Sequence, residues 1–281
     1  MRIQLGESGG KLAARLADLE AGRITPAGPR DAATVMVLRP AAKAGPGVEV
    51  LMLRRTAAMK FAPGAYVFPG GSVDPADYSA AAGWQGPSPA EFGARLGASA
   101  EVARALVCAA VRETFEESGV LLAGIPDGPL AVPSGPSWEA DRLALASGAL
   151  EFGALLARRG LVLRADLLVP WARWITPEGE PRRFDARFFA AALPPGQQVT
   201  GHEAEADHAA WLSPAGALES ARAGEIAVMP PTAATLSDFA AGGALADILG
   251  ARRTIEPVQP RLVLEDGTPW LILPDQVSYP R

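Results

Sequence analysis

The longest regular pattern of hydrophobic positions runs from Ala100 to Glu117, a stretch of strong helix formers without glycine or proline. Ser99 lies before this stretch as a predicted N-cap, and Gly119 lies after it, where glycine commonly ends a helix. The pattern therefore predicts one long helix. Three acidic residues, spaced i, i+3 and i, i+4, share one face of its last turn: Glu113, Glu116 and Glu117.

Shorter apolar runs predict a sheet upstream of this helix. Ala32 to Leu38 and Val48 to Leu53 are rich in valine, methionine and leucine, and the loop between them contains glycine and proline. This pattern predicts two strands joined as a hairpin. A further apolar run, Tyr66 to Phe68, leads into Gly70 and Gly71, where the backbone is free to approach a ligand closely.

Similar patterns predict further elements along the rest of the chain. Predicted helices cover Lys11 to Ala21, Pro89 to about Leu96, Trp138 to Ala146, Leu150 to Arg158, Pro214 to about Arg222, Thr232 to Ala241 and Ala244 to Leu249. Predicted strands cover Phe188 to Leu193, a segment around Trp211, and a hairpin of Arg261 to Leu264 with Trp270 to Leu273.

The acidic last turn of the long helix lies where a helix carries partial negative charge, and like charges at this spacing repel by about 0.2–0.5 kcal/mol per pair. A divalent cation would remove the conflict, because carboxylate oxygens are preferred ligands of Mg²⁺, Mn²⁺ and Ca²⁺. The alternative is a solvated acidic patch, which is common at helix ends. Arg112 favours the metal site because it can pair with Glu116 one turn later, and the Gly70-Gly71 corner suits a phosphate-bearing ligand.

Composition limits the classes of partner. The 281 residues carry a formal net charge of −5, which argues against a nucleic-acid surface. The single cysteine, Cys108, excludes an intramolecular disulfide and is expected to be a buried structural thiol. The N-terminus lacks the apolar segment of a signal peptide, and no apolar run approaches the roughly 20 residues of a membrane span. We therefore expect a cytoplasmic protein with no nucleic-acid partner and no membrane.

The acidic turn and the glycine corner together resemble the Nudix box, G-x5-E-x7-R-E-U-x-E-E-x-G-U. Gly71 matches its first glycine, and the run Arg112-Glu113-Thr114-Phe115-Glu116-Glu117-Ser118-Gly119-Val120 matches its second half. Thr114 occupies the aliphatic position after Arg-Glu, and forty residues separate Gly71 from Arg112, many more than in the standard box.

The position eight before Arg112, a glutamate in the box, holds Arg104, so no role is assigned to it. Glu101 is a candidate stand-in only, because eleven residues span about three helical turns and return to the face of Arg112. A long insertion inside the box resembles the nucleoside diphosphate-linked moiety X motif 19 branch, which is associated with coenzyme A diphosphatase activity.

This resemblance implies an α/β fold of the Nudix type, an α/β/α sandwich with a mixed sheet, together with an accessory mainly helical lobe. We predict an N-terminal helix and connector at 1–31, and a Nudix core at 32–212 with helical insertions at about 74–98 and 131–165. C-terminal helices and a hairpin at 213–281 are expected to pack on the core. The insertion at 74–98 is expected to form part of a cap beside the site.

The resemblance also implies the roles of the site residues. The three glutamates of the last turn would hold Mg²⁺ or Mn²⁺, and Arg112 would orient them. Gly70 and Gly71 would shape the pocket. In Nudix enzymes a glutamate shortly before a strand similar to that of Trp211 often serves as the base or as an extra metal ligand, so Glu205 is the first choice and Glu203 the second.

A second segment, Leu51 to Gly71, is similar to the signature L-L-T-x-R-S-x3-R-x3-G-x3-F-P-G-G of coenzyme A-cleaving Nudix enzymes. Here Lys60 stands for the second arginine, and Leu53 replaces threonine. Arg55 and Lys60 are expected to meet substrate phosphates, the first through bidentate bonds and the second as a point charge. The alternative is that they are ordinary solvated basic residues beside a strand.

Two further groups of residues leave their roles open. The cationic cluster Arg182, Arg183 and Arg187 would either approach a substrate phosphate or pair with carboxylates. His202 and His208 lack the spacing of metal ligands and are expected at the surface or at a strand edge.

The sequence therefore predicts hydrolysis of the diphosphate bond of a small-molecule nucleotide derivative. Coenzyme A or an acyl-CoA is the leading substrate, and ADP-ribose, a dinucleotide or a sugar nucleotide is the alternative. A different class of protein, a Nudix-derived binding module without catalysis, would be marked by the loss of box glutamates, and all three are present. Whether the accessory helices form a homodimer stays open.

Overall fold

The computed structural model of the chain describes residues 1–5, 9–41, 47–56, 62–79, 83–200, 206–275 and 277. Its strands are β1 (Arg2–Gln4), β2 (Arg30–Pro40), β3 (Val48–Arg55), β4 (Ala65–Val67), β5 (Gly70–Ser72), β6 (Gly83–Gln85), β7 (Ala123–Gly124), β8 (Val162–Arg164), β9 (Val169–Ile175), β10 (Phe184–Ala192), β11 (Ala206–Leu212), β12 (Ala227–Val228), β13 (Pro257–Val258), β14 (Arg261–Glu265) and β15 (Thr268–Ile272). Its helices are α1 (Gly9–Glu20), α2 (Pro75–Ser79), α3 (Pro89–Leu96), α4 (Ala100–Ser118), α5 (Pro136–Ala146), α6 (Phe152–Arg159), α7 (Pro214–Arg222), α8 (Pro230–Ala240) and α9 (Leu245–Gly250).

The central sheet is mixed. Its strands lie in the order β12-β4-β3-β2-β10-β9-β13, and β11 and β5 pair with β3 and β2. Strand β2 runs parallel to β10 and antiparallel to β3 and β5. The predicted hairpin is confirmed by the pairing of β2 with β3, in which Leu38 lies opposite Val50.

Alternate side chains of β2 point into two different cores. Val35 and Val37 belong to a core shared with α3, α4, α5 and α6, whereas Met36 and Leu38 belong to a core shared with α7, α8 and α9. Because successive side chains of a strand point to opposite faces, this continuous apolar strand is buried on both sides. The mixed sheet between two layers of helices confirms the predicted α/β class.

The two predicted insertions meet around α4. Strand β6 of the first pairs in parallel with β8 of the second, and β8 pairs with β7. Helices α2 and α3 pack on α4, and so does α5. The insertions therefore surround the helix that carries the acidic turn.

The two ends of the chain share a small sheet of the order β1-β15-β14. The predicted C-terminal hairpin is confirmed, and Asp266 and Gly267 in its turn have φ values of 50° and 75°, as a type I′ turn requires. Strands β12 and β13 pair with β4 and β9 of the central sheet. The division into segments 1–31, 32–212 and 213–281 stays a prediction. Among the described helices, none has both the length and the apolar character needed to cross a membrane.

Candidate active site

Helix α4 begins and ends as its sequence predicts. The Ser99 hydroxyl accepts a hydrogen bond from the Val102 amide at 3.2 Å, and Gly119, with φ at 72°, donates to the Phe115 carbonyl at 2.9 Å. The apolar residues of the helix are buried in the core that includes Val35 and Val37. This packing fixes the direction of α4 and thereby the position of its acidic last turn.

Arg112 links the side chains of the acidic turn. Its Nη1 atom donates to Glu113 Oε1 at 2.9 Å and to Glu116 Oε1 at 3.3 Å. Its Nη2 atom also donates to the Ser72 carbonyl at 3.0 Å. The sequence-based prediction that Arg112 pairs with Glu116 is confirmed. Two carboxylates therefore converge on one nitrogen atom.

A further carboxylate, from Asp77 in α2, holds the other edge of Arg112. Arg112 Nε donates to Asp77 Oδ1 at 3.0 Å, and Nη2 donates to Asp77 Oδ2 at 2.9 Å. Burial by itself lowers the pKa of Arg112, but the hydrogen bonds of Asp77 and the charges of Glu113, Asp77 and Glu116 outweigh it and raise the pKa above its ordinary value. Arg112 is therefore a permanent cation in the site.

Asp77 is a site residue that the sequence analysis missed. It is the sixth residue after Gly71, which is the position of the first glutamate of the Nudix box when counted from the glycine. The sequence offered Glu101 as a stand-in for this glutamate, because it lies about three helical turns before Arg112 on the same helix. Glu101 instead lies exposed in the first turn of α4, whereas Asp77 is 2% exposed and contacts Arg112.

The glycine corner forms strand β5, which pairs with β2 beside the end of α4. The Gly70 amide donates to Glu117 Oε2 at 3.0 Å. A Cβ at Gly70 would overlap the backbone of Ala33 and Thr34, and a Cβ at Gly71 would overlap the Glu113 carboxylate. Both positions therefore exclude a side chain, which allows the strand to lie directly against two of the three glutamates.

Comparison with known proteins decides the family. The model of the NUDT19 Nudix domain matches residues 91–238, which is more than half of the chain. The chain belongs to the Nudix family, in its NUDT19 branch. The predictions of family and fold class are confirmed.

Curated relatives and a solved structure agree with this assignment. The chain is 32% identical to human acyl-coenzyme A diphosphatase NUDT19 over 66% of its own length and 58% of the relative. It is 31% identical to putative nudix hydrolase 7 of Caenorhabditis elegans, over 65% of its length and 52% of the relative. The chain thus spans little more than half the length of these relatives. The crystal structure of a NUDIX hydrolase from Alicyclobacillus acidocaldarius matches with a TM-score of 0.66 and 30% identity, over 81% of this chain and 98% of that chain.

The acidic turn of this Nudix protein has the donor chemistry of a site for Mg²⁺ or Mn²⁺, since carboxylate oxygens are the ligands of such hard cations. Within the described residues, no three acidic, histidine or cysteine side chains converge closely enough to form a complete metal site. Glu113 and Glu116 do converge on one cationic nitrogen, that of Arg112. The donor atoms are thus of the type that a hard cation prefers, and the cation that these two carboxylates share in this structure is the Arg112 guanidinium.

The other predicted site residues have different outcomes. Arg55 ends β3 and lies opposite Ala206 of β11. Lys60, Glu203, Glu205 and His202 lie outside the described residues, so their roles stay predictions. His208 lies in β11, where its ring meets the Tyr66 ring edge to face at 6.5 Å.

The cationic cluster has a structural role in two of its three members. Arg187, 3% exposed, pairs with Asp31 at 2.6 Å and with Asp185 at 3.0 Å. Arg183, 7% exposed, donates to the Ala27 carbonyl at 2.7 Å. Of the two alternatives left open by the sequence, pairing with carboxylates applies to Arg187, while Arg183 binds backbone carbonyls.

A cleft of about 240 Å³ lies beside the carbonyl end of α4. Its walls combine aromatic rings and prolines with polar and charged side chains: Phe115, Pro133, Pro136, Trp138, Glu139, Arg142, Gln198 and Thr200. The Phe115 and Trp138 rings meet edge to face with centroids 6.0 Å apart. The cleft therefore offers both apolar contacts and hydrogen-bonding groups, and Phe115 and Gly119 at the end of α4 border it.

Proposed function

We propose that this Nudix protein hydrolyses the diphosphate bond of coenzyme A or an acyl-CoA, with Mg²⁺ or Mn²⁺ bound at the acidic turn. The observation that carries the proposal is the arrangement around Arg112, which draws Glu113 and Glu116 together while Gly70 binds Glu117. The names of the NUDT19 relatives support an acyl-CoA substrate. The similarity of Leu51 to Gly71 to the signature of coenzyme A-cleaving enzymes supports it independently.

Each residue of the site would have a distinct task. Glu113, Glu116 and Glu117 would hold the cation, which when bound would polarise a phosphoryl group and make a coordinated water more acidic. Arg112 fixes the direction of two of these carboxylates, and Asp77 fixes Arg112. Glu205, with Glu203 as the second choice, would accept the proton of the attacking water.

We assign the pantetheine arm of the substrate to the cleft beside α4. This arm carries both amide groups and apolar carbon atoms, and the cleft presents Gln198 and Thr200 together with Phe115 and Trp138. Trp138→Ala is expected to raise the KM for coenzyme A more than the KM for ADP-ribose, which has no such arm. An equal change for both substrates would place the arm elsewhere.

The reaction is tested with protein freed of metal by chelation and then supplied with Mg²⁺ or Mn²⁺. The substrates are coenzyme A, an acyl-CoA, ADP-ribose, NADH and a dinucleotide, and the products are identified by mass spectrometry. Hydrolysis should require the metal and should fall to background in Glu117→Gln. Glu20→Gln, which changes an exposed glutamate at the end of α1, is the matched control and should keep full activity.

The outcomes separate the alternatives. Unchanged turnover in Glu117→Gln would refute the metal assignment. Hydrolysis of ADP-ribose or a dinucleotide with coenzyme A left intact would change the substrate but keep the reaction class. Binding of a nucleotide without hydrolysis of any substrate would identify a non-catalytic Nudix-derived module. A comparison of Glu205→Gln with Glu203→Gln tests the base, and the larger loss of kcat is expected in Glu205→Gln.

A further inference from the structure

The last carbonyl groups of a helix have no partner within the helix and must be satisfied from outside. At the end of α4 these partners come from different parts of the chain. The Gly119 amide donates to the Phe115 carbonyl, and the Thr200 amide, which follows β10, donates to the Ser118 carbonyl at 2.9 Å. The Glu116 carbonyl receives its hydrogen bond from the side chain of Arg142.

Arg142 reaches this carbonyl from α5, in the second insertion. Its Nη1 atom donates to Glu116 O at 2.7 Å, while Nε and Nη2 donate to the two carboxylate oxygens of Glu139 at 2.9 and 2.6 Å. The Arg142 side chain is only 4% exposed, whereas that of Glu139 is 46% exposed. The guanidinium group is therefore held in one orientation by a bidentate ion pair.

From this geometry we infer that Arg142 is a positioning residue of the active site, which fixes the last turn of α4 and thereby the glutamates that bind the metal. This inference rests on the proposed metal site. The backbone atom that Arg142 binds belongs to Glu116, one of the three proposed ligands. Removing a side chain that holds a metal ligand in place commonly lowers metal affinity or activity by about 10–100-fold.

The opposite effect is expected if Arg142 acts only through its charge. A cation near a metal site repels the metal, so its removal would then strengthen metal binding. The Glu139 carboxylate pairs with Arg142 and offsets its charge locally. The contribution that is particular to Arg142 is therefore its hydrogen bond to the Glu116 carbonyl at the end of α4. The sign of the change in metal affinity therefore distinguishes positioning from simple electrostatics.

The inference is tested with Arg142→Met, Arg142→Lys and Glu139→Gln in the full chain. Mn²⁺ binding is measured by electron paramagnetic resonance in the absence of substrate, and amide hydrogen exchange is followed in the last turn of α4. Arg142→Met should bind Mn²⁺ about 10-fold more weakly and exchange these amides faster. Arg142→Lys should restore part of the affinity, because lysine donates to the carbonyl but lacks the fork that also binds Glu139. Glu139→Gln should shift both readouts in the same direction by a smaller amount.

Arg159→Met is the matched control, because it removes an arginine from the same pair of helices without removing a bond to α4. Arg159 donates to Asp141 and to Ser137, and it stacks over the Trp138 ring at 4.0 Å. This variant should lose thermal stability but keep the Mn²⁺ affinity of the wild type. An equal loss of affinity in Arg159→Met would show that general loosening of the insertion is responsible and would overturn the inference.

The remaining outcomes separate this inference from the proposed function. Wild-type protein that fails to bind Mn²⁺ would refute the proposed metal site, and the role of Arg142 with it. Wild-type binding together with unchanged or tighter binding in Arg142→Met would refute only the role of Arg142. If Arg142→Met does not fold, Arg142→Lys and Glu139→Gln decide the question, and unchanged exchange and affinity in both would refute the role.

Discussion

The Asp77 carboxylate receives two hydrogen bonds from the Arg112 guanidinium, at 3.0 and 2.9 Å, although the two residues are 35 positions apart in the chain. The Asp77 side chain is 2% exposed and that of Arg112 is 13% exposed. The remaining edge of Arg112 binds Glu113 and Glu116. The pair thus connects the first insertion to the carboxylates that are proposed to bind the metal.

Asp77→Asn is expected to lower kcat by roughly 10–100-fold, the usual effect of removing a group that orients metal ligands. The amide keeps the size of the side chain but loses its charge and one acceptor for Arg112. The free energy of unfolding should fall by about 1–3 kcal/mol, because a buried donor loses its partner. Steady-state kinetics and urea denaturation measure both effects.

Asp77→Glu serves as the control, because it keeps the charge and places the residue of the standard Nudix box at this position. It should retain more activity than Asp77→Asn. If Asp77→Asn keeps the kcat of the wild type, Glu113 and Glu116 alone are sufficient to orient Arg112.

The contact between Asp77 and Arg112 shows where sequence reasoning was sufficient and where it was not. The bounds of α4 follow from local chemistry, since Ser99 and Gly119 act on their own neighbours. The pairing of Asp77 with Arg112 depends on how the insertion folds back onto α4. A count forward from Gly71 would have found Asp77, because the residues in excess of the standard box lie between Asp77 and Arg112.

Gly71→Ala is expected to impair catalysis strongly while leaving the fold intact. The added methyl group would occupy the place of the Glu113 carboxylate, so that Glu113 must turn away from Arg112. A lower affinity for Mn²⁺ and a lower kcat should result, as measured by metal titration and steady-state kinetics.

Gly28→Ala is the matched control, because a Cβ at Gly28 would meet no atom within 4 Å. It should leave both the metal affinity and the kcat unchanged. Wild-type kinetics in Gly71→Ala would show that the close approach of β5 to Glu113 has no role in the reaction.

Cys108 is expected to resist thiol reagents in the native protein. The residue is 2% exposed, and burial raises the pKa of its thiol, with the charge and hydrogen bond of Asp77 raising it further. A thiolate is therefore scarce at pH 8, and reagent has little access to the sulfur atom. Titration with a chromogenic disulfide should label Cys108 only after denaturation. Rapid labelling of one thiol in the native state would contradict its burial.

The arginines near β10 illustrate a second limit of the sequence. Arg187 was compatible with a phosphate site or with an ion pair, and its charge alone favoured neither. Its partner Asp31 lies 156 positions away on β2, which β10 joins in parallel. The distinction between a binding residue and a structural one therefore depended on sheet topology, which local patterns do not encode.

Asp141 provides a prediction for the pH dependence of stability. Burial by itself raises the pKa of Asp141, but hydrogen bonds from Arg159 and Arg158 and their charges outweigh it and lower the pKa below its ordinary value. A lowered pKa in the folded state means that the unfolded state binds the proton more tightly. The stabilisation by the ionised Asp141 is therefore fully present above its pKa in the unfolded state, about 3.9. It is lost as the pH falls through the lower pKa of the folded state.

Asp141→Asn should accordingly reduce the free energy of unfolding at pH 7 by about 1–3 kcal/mol. Most of this loss should come from the ion pair with Arg159, whose side chain is less exposed than that of Arg158. The difference from the wild type should shrink as the pH falls below about 4. Asp18→Asn is the control, since its pair with Arg23 is exposed on both sides and should contribute at most about 1 kcal/mol. Urea denaturation at pH 7 and at acid pH measures both variants. A difference that persists undiminished at acid pH would mean that Asp141 stabilises the protein through packing rather than through its charge.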